Sequence, residues 1–270
     1  VTAGTVEFLV DKSGHHYFIE MNPRLQVEHT VTEMVTGIDI VRAQILIAEG
    51  HTLADPRIDM AKQSNLKLNG YSIQCRVTTE DPTNNFAPDT GKITAYRTGG
   101  GYGVRLDGGN ASTGSVISPY YDSLLVKVTT FDNTFEGVCN KALRSLSEVH
   151  IRGVKTNIPF VSNILTHPVF RAGKCHTKFI DDTPELFDIQ DSKDRATRVL
   201  RYIAQIQVDN PDAERKQYDA PRIPKPLLEK PTPGLKQLLD SQGPEAVKKW
   251  VLDQKKLLIC DTTMRDAHQS

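Results

Sequence analysis

One stretch of the sequence, residues 5–30, limits the fold more than any other because it predicts two strands joined by a single turn. The turn residues Asp11–Gly14 are of the types that favour tight chain reversals. The runs on either side are rich in aromatic and β-branched residues, as strands are. The stretch therefore predicts a β-hairpin.

The register of this hairpin decides which side chains meet. If Val10 lies opposite His15, then Glu7 lies opposite Phe18, and Glu20 is its diagonal neighbour on the same face. Diagonal neighbours on an antiparallel pair lie roughly 7–8 Å apart. Two carboxylates are therefore expected to converge on one face of the hairpin.

The second strand and its continuation are predicted to alternate between an apolar and a polar side. The apolar side is formed by Ile19, Met21, Pro23, Leu25 and Val27. The polar side is formed by Glu20, Asn22, Arg24, Gln26 and Glu28. An ordinary solvated strand face would also be polar, and this alternative stands beside a functional one.

The pairing of acids favours the functional interpretation. Two neighbouring carboxylates repel each other unless a cation lies between them, and carboxylate oxygens with an Asn carbonyl suit Mg²⁺ or Mn²⁺. A Mg²⁺ ion in turn suggests a nucleotide phosphate. Arg24 can bind an oxyanion in bidentate fashion, Gln26 can hydrogen-bond it, and Glu28 can take a proton from it.

The run from Glu20 to His29, E-M-N-P-R-L-Q-V-E-H, together with Glu7, resembles the second half of the ATP-grasp site of biotin carboxylases. The resemblance implies that the metal ligands are Glu7, Glu20 and Asn22. It implies that bicarbonate is bound by Arg24, Gln26 and Val27, and deprotonated by Glu28. It also implies that Leu9 and Ile19 flank the adenine of ATP.

Composition excludes several other classes of protein. The 270 residues are 38 % hydrophobic and 24 % charged, as expected of a globular protein, and their formal net charge of zero offers no field to attract nucleic acid or an anionic membrane. No apolar run reaches 18 residues and no signal peptide is recognisable, so neither a membrane span nor secretion is expected, and the cytoplasm is the default compartment. The four cysteines form no C-x-x-C pair, which favours reduced thiols over a zinc site.

Periodicity predicts the remaining elements. Helices are predicted on both sides of Gly37 within Thr32–Gly50, and later at Phe135–Leu146, Thr156–Leu165 and Ser192–Val208. Strands are predicted at Tyr71–Thr78, Leu124–Thr130 and Leu257–Cys260. Prolines between Pro211 and Pro233 predict a linker, and two short helices are expected in Gly234–Lys256.

Arg76 lies within the strand Tyr71–Thr78, where it could simply extend along the surface or form an ion pair with Glu80 or Asp81. In biotin carboxylases, the arginine of the similar C-R-x-x-x-E-D-P run holds the ureido oxygen of biotin. The resemblance implies that role for Arg76. The glycine cluster that follows, Gly99–Gly103, lacks the pattern of a phosphate loop and predicts β-turns.

In the same family, the stretch that resembles G-Y-G-V-R lies at the subunit interface. The resemblance therefore implies that Tyr102 and Arg105 are dimer contacts.

The last ten residues, D-T-T-M-R-D-A-H-Q-S, resemble the opening of the carboxyltransferase β/α barrel of biotin-dependent enzymes that act on pyruvate. The resemblance implies that Asp266 is a ligand of the barrel's Mn²⁺ or Zn²⁺ and that Arg265 and Gln269 bind pyruvate. Without the resemblance, an acidic residue after a barrel strand could simply cap the next helix.

The expected fold class is α+β, in four parts. They are the C-terminal part of an ATP-grasp domain (1–50), a biotin carboxylase C-terminal domain (51–182), a linker and oligomerisation region (183–256), and the first strand of a TIM barrel (257–270). The chain is identified as part of a biotin-dependent carboxylase that uses ATP, Mg²⁺ and bicarbonate to carboxylate biotin, and then transfers the carboxyl group to pyruvate. Expected partners are further copies of the chain in a homotetramer and the enzyme's own biotin carrier domain, with no nucleic acid and no membrane.

Two alternatives remain. A biotin carboxylase of an acetyl-CoA or propionyl-CoA carboxylase explains the first 182 residues equally well, but it does not explain the motif in the last ten residues. A non-catalytic assembly module is disfavoured by the charged face from Glu20 to Glu28, because interface cores are depleted of charged residues.

Overall fold

A computed structural model of the chain describes residues 3–109, 111–189, 199–200, 202–205, 208 and 234–260. Its longer strands are β1 (Thr5–Val10), β2 (His16–Asn22), β3 (Tyr71–Thr78), β8 (Val104–Gly108) and β10 (Leu124–Asp132). Its shorter strands are β4 (Glu80–Asp81), β5 (Ala87–Pro88), β6 (Gly91–Lys92), β7 (Ala95–Arg97), β9 (Val116–Ile117) and β11 (His150–Arg152). Its α-helices are α1 (His29–Thr36), α2 (Ile40–Ala48), α3 (Phe135–Glu148), α4 (Ile158–Thr166), α5 (Pro168–Arg171), α6 (Leu235–Gln242) and α7 (Pro244–Leu252).

The predicted hairpin is confirmed, but its predicted register is wrong. Val10 pairs with His16 rather than with His15, because the turn has five residues closed by the Asp11 carboxylate, which accepts from the backbone N–H groups of Ser13 and His15. A bulge then leaves Ile19 without a partner on β1.

The bulge brings Glu7 directly opposite Glu20. Directly opposite residues have Cβ atoms about 4.5–5.5 Å apart, closer than the predicted diagonal pair. The two acids therefore converge more tightly than the hydrophobic pattern alone indicated.

The alternation predicted to run through Glu28 stops at Asn22, the last residue of β2. Pro23 follows and has no N–H to continue the ladder, and the N–H of Arg24 turns back to the carbonyl of Asn22 at 2.8 Å. Residues 23–28 are therefore a connection that leads into α1, not one side of a strand.

Strands β3, β10 and β8 form an antiparallel sheet with β10 in the centre. One face of this sheet is apolar and packs against α3. The buried residues at this contact are Cys75, Val77, Val126, Val128, Ala142, Leu146, Val149 and Leu165. Each fully buried valine or leucine side chain in this set stabilises the fold by about 1.5–3 kcal/mol.

The opposite face of the sheet is polar and lies beneath α1. Thr30, on the first turn of α1, is fully buried, and its hydroxyl is hydrogen-bonded at 2.8 Å to that of Thr129 on β10. This contact fixes the start of α1 against the middle strand.

The helix predictions in the first 182 residues are confirmed. Gly37 ends α1 in a left-handed conformation, φ +73°, and its N–H donates to the carbonyl of Glu33, as a helix C-terminus requires. The helices predicted at Phe135–Leu146 and Thr156–Leu165 are α3 and α4.

Past residue 189 only part of the chain can be compared with prediction. Of the helix predicted at Ser192–Val208, residues 199–200, 202–205 and 208 are described and are helical, whereas the linker 211–233 lies outside the described residues. The two helices expected in Gly234–Lys256 are α6 and α7.

The strand predicted at Leu257–Cys260 is not a strand here, and its residues are exposed. A strand of the buried parallel kind needs neighbouring strands, and none of the described strands pairs with it. The barrel therefore remains a prediction. Within the described part of the chain, no helix is long and apolar enough to cross a membrane.

Strand β3 is at the edge of its sheet, and Asn157 covers part of that edge. The side-chain Nδ2 of Asn157 donates to the carbonyl of Arg76 at 2.9 Å, and its Oδ1 accepts from the N–H of Thr78 at 3.0 Å. Asn157 is only 8 % exposed. Its side chain thus makes the two hydrogen bonds that a neighbouring strand would make to this part of β3, and it fixes the backbone at Arg76.

We predict that Asn157→Ala lowers the free energy of unfolding by about 1–2 kcal/mol, because it leaves two partly buried backbone groups without partners. Urea unfolding measures the change. Ser147→Ala is the control, since that hydroxyl donates only to Arg144 of its own helix on an exposed surface, and a shift within about 0.5 kcal/mol is expected. Equal effects of the two substitutions would contradict the edge role of Asn157.

A second prediction concerns acid stability. A hydrogen bond from Lys155, followed by those from Thr83, holds the pKa of Asp81 below its usual 3.8. A carboxylate with a lowered folded-state pKa stabilises the protein above its ordinary pKa and loses that contribution as the pH falls. We therefore expect wild type to lose more stability than Asp81→Asn as the pH is lowered past 3.8. Urea unfolding of both proteins at a series of pH values above and below 3.8 measures the difference. Parallel losses would contradict the linkage.

Candidate active site

The hairpin presents a cluster of three oxygen-bearing side chains. Asn22 Nδ2 donates to Glu20 Oε1 at 2.8 Å and to Glu7 Oε1 at 3.3 Å, so one amide bridges both carboxylates. The three residues predicted from the resemblance to be metal ligands are therefore brought together. Two carboxylates and an amide oxygen are hard donors suited to Mg²⁺, which commonly takes its remaining ligands from phosphates and water.

The donor set contains only two acidic residues. Accordingly, no cluster of three or more His, Cys, Asp or Glu side chains able to hold a metal is found among the described residues. Leu9 and Ile19, predicted to flank adenine, are both about half exposed on the same hairpin.

The connection after Pro23 bears the groups assigned to bicarbonate. Arg24 is exposed, and its guanidinium is 3.4 Å from the carbonyl of Leu25. Gln26 Oε1 is buried and has no hydrogen-bond partner within the described chain. A buried acceptor without a donor is costly, so Gln26 Oε1 favours a bound ligand that supplies a hydrogen-bond donor.

Glu28 is the N-cap residue of α1, and its carboxylate faces Arg76. Glu28 Oε2 and Arg76 Nη2 are 3.4 Å apart, although 48 residues separate them in the sequence. Both side chains are about half exposed. The proposed base and the proposed biotin-binding arginine therefore form one site at the surface of the sheet.

A second cation adjoins this pair. Lys127 on β10 is directly opposite Arg76, and burial lowers the pKa of its ammonium group. Like charges at directly opposite positions destabilise a sheet. The arrangement therefore favours anionic partners, and the structure places Asp107 opposite Lys127 on β8 and Glu28 against Arg76.

Asp122, just before β10, accepts a hydrogen bond from the N–H of Leu124 at 2.9 Å. The described side-chain contacts of Arg76 are those with Glu28 and Gln74.

The two predicted interface residues are Arg105, on β8, and Tyr102, in the turn before it. Tyr102 is 90 % exposed, with Lys141 Nζ 5.6 Å from the ring centroid. Arg105 is bound within its own chain, by both carboxylate oxygens of Asp107 and by Glu33, which together raise its pKa. Their role in a dimer stays a prediction. The barrel residues Arg265, Asp266 and Gln269 lie outside the described residues.

Sequence reasoning missed two residues of the site, Gln74 and Asn157. Asn157 holds the backbone of Arg76. Gln74 shares the polar face of β3 with Arg76 and binds the connection at Val27. The sequence did contain an indication for Gln74. It is two residues before Arg76 in a strand where Ile73, Cys75 and Val77 are apolar, so the alternation of the strand places Gln74 and Arg76 on the same face.

Family models match two parts of the chain. Residues 1–55 match the ATP-binding domain of the carbamoyl-phosphate synthase L chain, and residues 74–182 match the biotin carboxylase C-terminal domain. Glu28 lies in the first match, whereas Gln74 and Arg76 lie at the start of the second. The site described above is therefore assembled from both.

The pyruvate carboxylase of Bacillus subtilis is 53 % identical over 277 residues, an alignment that covers 100 % of this chain and 24 % of the relative. Over its whole length the chain is homologous to pyruvate carboxylases. It spans about a quarter of the length of the curated relatives it matches.

Solved structures agree with this family. A complete multifunctional pyruvate carboxylase from Rhizobium etli matches with a TM-score of 0.74 and 48 % identity, covering 100 % of this chain and 26 % of that one. The biotin carboxylase domain dimer of the 2-oxoglutarate carboxylase from Hydrogenobacter thermophilus, in complex with MgADP, ADP and bicarbonate, matches with a TM-score of 0.65 and 44 % identity. That alignment covers 70 % of this chain and 40 % of the other.

The acidic cluster gives a direct prediction. Asn22→Asp replaces the bridging donor with a third carboxylate, so without divalent cations the thermal unfolding midpoint should fall, and added Mg²⁺ should restore most of the loss. Asn22→Ala is the control, because it removes the donor without adding charge, and Mg²⁺ should restore less. Differential scanning fluorimetry with EDTA and with Mg²⁺ measures both. An equal response of the two variants to Mg²⁺ would contradict a cation site here.

Proposed function

We propose that this chain forms the bicarbonate side of a biotin carboxylase site, within an enzyme that carboxylates biotin at the expense of ATP and transfers the carboxyl group to pyruvate, giving oxaloacetate. One observation carries the proposal: Glu28 and Arg76, the groups suited to deprotonate bicarbonate and to bind biotin, are in contact. MgADP and bicarbonate are bound by the relative from H. thermophilus, which supports the same ligands for this chain.

The first step belongs to the hairpin and its connection. Glu28 accepts the proton of bicarbonate, and the freed oxygen attacks the γ-phosphorus of ATP, forming an O–P bond as the bond to ADP breaks. Arg24 and Gln26, with the backbone of Val27, would hold the bicarbonate oxygens during the attack. Glu7, Glu20 and Asn22 would hold Mg²⁺, which when bound neutralises charge on the phosphates.

Arg76 serves the second step. Its guanidinium would donate to the ureido oxygen of biotin, the cofactor that supplies the nitrogen nucleophile for the carboxyl group. A half-exposed arginine whose backbone and Nε are both fixed suits this task, because the donor is accessible and already positioned.

The choice of pyruvate over an acyl-CoA rests on the extent of the matches. The relatives reported over the whole chain are pyruvate carboxylases, whereas the structure from the 2-oxoglutarate enzyme covers 70 % of it. We propose accordingly that residues 183–256 are a linker and oligomerisation region and that 257–270 begin the carboxyltransferase barrel. In that barrel, Asp266 would bind Mn²⁺ or Zn²⁺, and Arg265 and Gln269 would bind pyruvate.

The proposal extends to the assembly. A dimer with contacts at Tyr102 and Arg105, assembled into a homotetramer, would bring this site to a biotin carrier domain of the same enzyme. The biotin carboxylase domain of the relative from H. thermophilus is a dimer.

The test of the base is Glu28→Gln in the complete enzyme. The substitution keeps the shape of the side chain but removes proton acceptance, so bicarbonate-dependent ATP cleavage should fall about 100-fold or more. Glu49→Gln, at an exposed position just after α2, is the matched control and should leave the rate unchanged. Phosphate release measures both, and an unaltered rate in Glu28→Gln would remove the assignment.

A further inference from the structure

Gln74 has no role in the proposed chemistry, yet it is in contact with both halves of the site. It lies in the middle of β3, on the same face as Arg76, while its neighbours Ile73 and Cys75 face the apolar core under α3. A polar side chain at this position is held under α1 and is only partly exposed.

The amide nitrogen of Gln74 binds the connection that precedes α1. Nε2 donates to the carbonyl of Val27 at 2.8 Å and to the hydroxyl of Thr30 at 2.5 Å. Because a backbone carbonyl only accepts hydrogen bonds, the nitrogen and not the oxygen must face Val27, and this fixes the orientation of the amide.

The amide oxygen of Gln74 therefore points the other way, toward Arg76. Oε1 accepts from Arg76 Nε at 3.5 Å, while Nη2 of the same guanidinium reaches Glu28 at 3.4 Å. The contacts close a ring: Gln74 to Val27, Val27 to Glu28 along the chain, Glu28 to Arg76, and Arg76 back to Gln74.

The ring is anchored to the centre of the sheet. Thr30 is fully buried and hydrogen-bonded to Thr129 of β10. The start of α1, to which Gln74 is hydrogen-bonded, is therefore fixed to the sheet. A change at Gln74 would therefore alter the distance between the connection and Arg76 and leave the sheet beneath them in place.

We infer that Gln74 is a positioning residue that couples the bicarbonate-binding connection 24–28 to the biotin-binding Arg76, so that the two substrates are held in a fixed relation. The inference rests on the proposed function. Glu7 and Glu20 have no contact with Gln74 among the described hydrogen bonds, so the metal and nucleotide are outside its influence.

Two substitutions in the complete enzyme test the inference. Gln74→Ala removes all three contacts and should raise the KM for bicarbonate about tenfold, lower the stimulation of ATP cleavage by free biotin, and leave the KM for ATP unchanged. Gln74→Glu has nearly the same shape but replaces both donors with an oxygen that repels the Val27 carbonyl and attracts Arg76. It should give the larger rise in the KM for bicarbonate.

Ser72→Ala is the matched control, on the same strand and the same face. Its hydroxyl donates to the carbonyl of Thr130 at 2.8 Å and contacts neither half of the site, so it should alter none of the three kinetic quantities. A cooperative thermal unfolding transition shows that each variant is folded. If Gln74→Ala does not fold, the kinetics of Gln74→Glu test the inference.

A double-mutant cycle that combines Gln74→Ala with Arg76→Lys measures the coupling between the two residues. A purely structural role of Gln74 would give no such coupling. If Gln74 acts partly through Arg76, the two effects on biotin stimulation should be markedly non-additive. Additive effects, an unchanged KM for bicarbonate, or an equal rise in the KM for ATP would each overturn the inference. Absence of bicarbonate-dependent ATP cleavage in wild type would instead overturn the proposed function itself.

Discussion

The alternation of side chains along β3 is the constraint on which the rest of the site depends. Because successive residues of a strand face opposite sides, Cys75 and Val77 enter the core under α3 while Gln74 and Arg76 face the connection and α1. A shift of the strand by one residue would exchange the two sets and destroy both the core and the site at once. The core packing therefore fixes the position of Arg76, the arginine proposed to bind biotin.

Charge is distributed in this site at a cost to stability. Glu7 is directly opposite Glu20, and Arg76 is directly opposite Lys127, so both strand pairs place like charges face to face. Partial compensation comes from neutral amides and two carboxylates: Asn22 bridges the two acids, Gln74 and Glu28 bind the arginine, and Asp107 lies opposite Lys127 on β8. Clusters of this kind favour a site that binds further charged groups, and those proposed here are a metal, phosphates and bicarbonate.

Much of the fold could be predicted because it follows from local pattern. The hairpin, the strand Tyr71–Thr78 and the helices α3 and α4 were all indicated by periodicity and by turn or capping residues. The hairpin register was not, because a five-residue turn closed by Asp11 and a bulge at Ile19 are details of backbone geometry that hydrophobic alternation does not record. For the same reason the alternation was carried too far, past Pro23.

The sequence by itself determined the chemistry available to this protein: the acids, the two amides and the arginine of residues 7–28, with Arg76 on β3, and the resemblance that implied their roles. The tertiary structure alone decided which of them act together. The contact between Glu28 and Arg76 joins residues 48 positions apart, and Gln74 and Asn157 become parts of the site only because β3 packs beside α1 on one face and offers an open edge to Asn157. Periodicity records which side of an element is buried, but the partner across a packed interface is set by long-range packing.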